Sequence, residues 1–122
     1  MSKKQLTRNR AETYRAQSGL CHYCGVPMWE EDADAFAARY GLSPRAVFLF
    51  RCTAEHLLAR CDGGRHALGN IVAACWHCNT IRHRGKHPPS SERYLERVQP
   101  KARSGEWLTV RLLANSSFRP EA

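Results

Sequence analysis

Between Cys52 and His83 the chain gathers the residue types that hold metal ions. Glu55 and His56 stand side by side, Asp62-Gly63-Gly64 marks a turn, and Asn70, Cys75-Trp-His-Cys78, Asn79 and His83 follow. The oxygens of Glu55 and Asn79 suit a hard divalent ion such as Mg²⁺, and an imidazole from His83 widens the choice to Mn²⁺ or Ni²⁺. Asn79 and His83 are four apart, so on a helix they share a face. If that face packs against the end of a strand that carries Glu55, the three converge with His56 close by. Glu55 and His56, as strand neighbours, point to opposite faces unless the strand twists or bulges there.

The cysteines offer a second kind of chemistry. Cys21/Cys24 and Cys75/Cys78 are two Cys-x-x-Cys pairs, and together they point to one closed tetrahedral zinc site with a structural role. Gly25, just after the second thiol, gives the first pair the form of a knuckle. His22, His77 or His83 could replace one thiolate. The spacing of Cys52 and Cys61 matches no common site, so these two are expected as buried free thiols. No apolar run follows the basic N-terminus, so neither a signal peptide nor a transmembrane helix is expected. That places the chain in the cytoplasm, where paired cysteines hold metal more often than they form disulfides. Loss of the zinc should unfold the protein.

The elements that must position these residues follow from pattern. A helix is expected over about 5–17, ended by Gly19, and an amphipathic one over 30–40, where Ala33, Phe36, Ala37 and Tyr40 recur at helical spacing before Gly41. Ser43-Pro44 caps a further helical turn, and Val47 to Phe50 reads as a buried strand or an apolar helix leading into Arg51–His56. The Asp62-Gly63-Gly64 turn reverses the chain, so Ile71–Ala74 pairs back on the strand ending at His56. A helix follows from Asn79 to about Arg84, then a Pro88–Ser91 linker, then a helix from Glu92 to Val98 before Pro100. The tail, with Trp107, Leu108, Val110, Leu112 and Leu113, packs as strand or helix. By length the 122 residues make a single domain: a basic N-terminal helix (1–20), a core (21–84) interrupted by an acidic and apolar insertion (28–50), and a C-terminal helix and tail (85–122).

This order of strand, turn, strand and helix, with AEH closing the first strand, GG in the turn, GNIVAAC before the second cysteine pair and CN on the helix, resembles the HNH endonucleases. CHYCGVPMW is similar to the knuckle of zinc-bound members, so the resemblance runs from about Gly19 to Arg84. It implies an α+β fold, a small ββα-metal core stapled by the four-cysteine zinc with flanking helices at both ends. It also implies roles. His56 matches the first His, the general base that activates water. Asn70 matches the middle Asn, which fixes the loop and helps to orient that base. Asn79 matches the third motif position, where Asn in many members binds the catalytic metal. Glu55 stands where the family usually has Asp as second ligand, one methylene shorter, and His83 resembles an added helix ligand. The proline common after the first His is missing from HLLAR.

The net charge is +8, with basic residues crowded at the start and after Cys78. Such flanks favour a polyanion, nucleic acid most commonly; with the resemblance the expected partner is DNA, with RNA as the other possibility. Arg82, Arg84 and Lys86 are the candidates to clamp phosphates around the cut. The implied activity is metal-dependent hydrolysis of phosphodiester bonds, leaving 5′-phosphate and 3′-hydroxyl ends, with zinc as structural ion and Mg²⁺, Mn²⁺ or Ni²⁺ as catalytic one. The alternative is a non-catalytic, zinc-dependent module that binds nucleic acid through the same basic flanks.

Overall fold

The computed structural model describes residues 3–116, apart from the side chain of Cys61, so the expectation for that thiol lies outside the described residues. At its centre is a two-stranded antiparallel sheet of β1 (Cys52–His56) and β2 (Ile71–Cys75), in register from Cys52 opposite Cys75 to His56 opposite Ile71. Helix α1 (Lys3–Ala16) lies across both strands. Just after it, the Gln17 amide completes the open side of β2: Nε2 donates to Ala73 O at 2.8 Å and Oε1 accepts from Ala73 N at 2.9 Å. The result is the small ββα core with flanking helices expected from sequence: α4 (Trp76–Arg82) leaves β2 directly and packs back on both strands.

The insertion folds as a pair of short helices, α2 (Ala33–Tyr40) and α3 (Pro44–Phe48). The first starts at Ala33 rather than Glu30 because the Asp32 carboxylate accepts from Ala35 N at 2.9 Å and so fixes the cap. Val47 belongs to α3, which Ser43 caps, and the apolar run after it turns instead of extending. Phe36, Val47 and Phe50 fill the space beneath, and Trp29 pins α3 by donating Nε1 to Val47 O at 2.8 Å. A bridge from Trp29 to Arg51 then sets where β1 begins. The insertion thus buttresses the start of the strand whose far end carries Glu55 and His56.

At the other end, α5 (Ser91–Ser104) does not stop before Pro100. Proline there gives up one backbone bond, but the buried face of Tyr94 and Val98, with Ala102 packed beside it, holds the helix on the core until Gly105 ends it at φ 82°. The tail is helical, α6 (Leu108–Ala114). No helix among the described residues is long and apolar enough to cross a membrane.

Candidate active site

The four cysteines of the two pairs come together. Cys21, Cys24, Cys75 and Cys78 are buried, and their sulfurs lie within 4.8 Å of one another. Two strands of chemistry meet at the junction of β2 and α4: Cys75 N donates to Cys21 Sγ at 3.3 Å, and Cys78 N donates to Cys75 Sγ at 3.4 Å. The knuckle is held to the sheet by His22 N on Ala73 O at 3.0 Å, and Gly25 turns it at φ 78°, where a side chain would be strained. The helical tail supplies a further shell, with Trp107 Nε1 donating to Cys78 Sγ at 3.3 Å and Thr109 Oγ1 3.2 Å from Cys24 Sγ. Hydrogen bonds from Cys24, Cys75 and Cys78 outweigh burial at Cys21 and hold its thiol well below the ordinary value. Cys75, facing that thiolate, and Cys78, through burial, are pushed well above theirs. Four thiolates this close would repel one another in a buried pocket, so the set requires a cation, and the donor set is that of tetrahedral zinc.

The second site opens at the far end of the hairpin. Glu55 is 1% exposed. One of its oxygens, Oε2, accepts from Tyr23 OH at 3.1 Å and pairs with the Arg82 guanidinium at 3.2 Å, while Oε1 meets His83 Nε2 at 3.0 Å. Asn79, half-buried one turn earlier on α4, donates Nδ2 to Thr53 Oγ1 at 3.0 Å, and its amide oxygen makes no hydrogen bond among the described residues. A cavity of about 400 Å³ joins these groups: Glu55, His56, Asn79 and His83 line it together with Arg60 and Lys86. Glu55 and His56 occupy the last two places of β1, and both line the cavity.

His56 Nε2 lies 2.9 Å from His66 Nδ1, and burial, His66 and Arg60 lower its pKa against the opposing pull of Glu55. A histidine below its usual range is neutral at physiological pH and able to accept a proton. The loop that brings His66 there is braced at three points. Asn70 Oδ1 accepts from Leu58 N at 2.8 Å, its Nδ2 donates to Leu58 O and Arg65 O at 3.1 and 2.9 Å, and Asn9 on α1 donates to His66 O at 2.6 Å. At Gly64 a Cβ would stand 1.7 Å from Leu58 O, so only glycine lets the loop close.

Residues 46–85 match the family model of HNH endonucleases. No curated protein and no solved structure matches the chain. The HNH segment takes in β1, the loop, β2 and α4, hence Glu55, His56, Asn70, Asn79, His83 and the second cysteine pair. It begins after the knuckle and most of the insertion, which the sequence resemblance had included.

Among the residues expected from sequence, Arg82 requires correction. It is 3% exposed, and its guanidinium donates to His56 O, Leu57 O and Pro89 O at 2.8, 3.0 and 3.0 Å besides pairing with Glu55. Those donors are spent inside the protein, so Arg82 is no phosphate clamp. Arg84 and Lys86 are exposed, the first beside the cavity and the second in its wall. Sequence reading missed Tyr23, Arg60 and His66. Tyr23 sits inside a cysteine knuckle and the other two in a loop without periodicity; only the basic residue types beside the Gly-Gly turn could have drawn notice.

The donor types that line the cavity are those that suit a hard divalent ion. Among the described residues the cysteine cluster is the one place where three or more His, Cys, Asp or Glu donors converge. Here the set is instead a carboxylate, an imidazole and an amide oxygen, the mixture that Mg²⁺, Mn²⁺ and Ni²⁺ accept. Arg82 and Tyr23 hold Glu55 from behind, which leaves Oε1 turned to His83.

Proposed function

We propose that this protein is a metal-dependent endonuclease that hydrolyses phosphodiester bonds in DNA. The observation that carries the reading is the single cavity in which His56, with its lowered pKa, faces Glu55, Asn79 and His83; the HNH match over the same residues supports it. His56 is the general base. It engages His66 through Nε2, so Nδ1 is the nitrogen left to take a proton from water. The water oxygen bonds to phosphorus, the bond to the 3′ oxygen breaks, and that oxygen takes a proton from solvent, leaving 5′-phosphate and 3′-hydroxyl ends.

Glu55, Asn79 and His83 would hold the catalytic ion, Mg²⁺ or Mn²⁺ or Ni²⁺, which when bound supplies positive charge for the phosphorane and the leaving oxygen. Asn70 keeps the loop closed behind His56. Arg84 and Lys86, both free of ion pairs among the described residues, meet flanking phosphates. Zinc at Cys21, Cys24, Cys75 and Cys78 is structural, since four thiolates leave no open position.

A plasmid nicking assay tests this with EDTA, Mg²⁺, Mn²⁺ or Ni²⁺, and with His56→Ala beside the wild type. Cutting should need a divalent ion and fall by about 10²–10⁴-fold in the variant, the usual range for a general base, at unchanged zinc content. Absence of cutting with every ion, despite bound zinc and salt-sensitive DNA binding, would leave a binding module in its place.

A further inference from the structure

Three cavities are linked into a row by shared lining residues, with the candidate active site joined to both of the others. It shares Arg60 with a cavity of about 200 Å³ lined by Arg60, Gly64, Arg65 and His66. On its other side it shares Asn79 and His83 with one of about 500 Å³, whose wall adds Thr53, Trp76, Thr80 and Arg84. No acidic residue lines either flanking cavity. Arg60, Arg65 and Arg84 are exposed and form no ion pair among the described residues. An anionic chain laid along the row would meet cationic side chains in both flanking cavities, where no carboxylate stands in its way.

The two flanks differ in chemistry. One is cationic alone. The other has an aromatic floor: Trp76, Asn79 with Thr80, and His83 with Arg84 follow one another at helical spacing along α4 and its end, so the indole stands about one turn from Asn79. Phe48, 43% exposed, leans on Trp76 with ring centroids 4.9 Å apart. Such a partly open aromatic pair suits the face of a nucleobase. In a paired duplex that face is covered by the neighbouring bases, whereas an unpaired base presents it.

We infer that the row is a groove for an unpaired DNA strand, with a phosphate held between Arg60 and Arg65 and a base stacked on Trp76. The inference rests on the nuclease reading of the middle cavity, and it adds the kind of strand that reaches it: frayed, displaced or single-stranded DNA.

Binding without cutting separates the two. Zinc-loaded protein, with no other divalent ion, is titrated into a fluorescein-labelled oligodeoxythymidylate and into a blunt duplex of equal length, and anisotropy is followed. Trp76→Ala should weaken single-strand binding at least about fivefold, the loss of one stacked base, while duplex binding changes less than about twofold and zinc content stays level. Trp76→Phe should restore most of the difference. Arg65→Ala should reduce the slope of log affinity against log salt for the single strand by about 0.7, one phosphate contact. Equal losses on both DNAs, no loss on either, or an unchanged salt slope would overturn the groove. Plasmid cutting that survives with no Trp76 effect would overturn the groove and leave the nuclease standing. Trp76-dependent single-strand binding without any cutting would do the reverse.

Discussion

In the proposed reaction His56 can act as the base only while it is neutral, so its environment would set the acid limit. Burial contributes most to lowering its pKa, followed by His66 and Arg60; Glu55 pulls the other way, and His83 adds to the lowering. The sign follows directly. A folded value below the ordinary 6.5 or so keeps the neutral form populated as pH falls through that point, and the acid limb of kcat/KM should lie below pH 6.5 or thereabouts. Arg60→Ala removes a cation that disfavours the imidazolium, so the limb should move to higher pH. Rate profiles of both proteins between mildly acidic and neutral pH check this. A wild-type limb above the ordinary histidine value, or a shift to lower pH in Arg60→Ala, would show that another group sets the limit.

Arg82 acts between elements. From the last turn of α4 it reaches the end of β1 through His56 O and Leu57 O, the approach to α5 through Pro89 O, and the Glu55 carboxylate. Both members of that ion pair are almost fully buried. Removing one partner strands the other charge in a poor solvent for ions, typically at a cost of about 3–5 kcal/mol. Denaturant unfolding of Arg82→Met should show a loss of that order, and Arg82→Lys should recover little, since an ammonium cannot reach the same fan of acceptors. Glu55→Gln added to Arg82→Met should return part of the stability. A surface arginine in contact with phosphate would instead leave stability within about 0.5 kcal/mol and weaken DNA binding. The hairpin, the helix after it and the clustering of the cysteines were legible because each rests on local spacing: a short apolar run, a Gly-Gly turn, two residues between thiols. Arg82 was not, because residue type and position in a basic run say nothing of direction. The extension of α5 through Pro100 was hidden for a related reason, since packing of Tyr94 and Val98 on the core outweighs a local breaker.

For the whole molecule, the two-stranded sheet is too small to stand alone, and the chain around it is drawn in by the cysteine cluster. Two-stranded hairpins are at best marginal in water. Cys21 and Cys24 precede the insertion, Cys75 ends β2, Cys78 lies in α4, and Trp107 and Thr109 reach the same sulfurs from the tail. One ion there would link the knuckle, the hairpin and α4. Binding energies of structural zinc sites, about 10–16 kcal/mol at neutral pH, match or exceed the net stability of about 5–15 kcal/mol usual for a small protein. Chelation of zinc should therefore unfold the chain rather than merely inactivate it. Circular dichroism during titration with a strong chelator should show loss of helix in step with zinc release, and readdition of Zn²⁺ should restore it. Mg²⁺ should not, because thiolates reject a hard ion. Helix content that stays level after complete zinc loss would mean that the apolar core and the Arg82–Glu55 pair hold the fold without the ion.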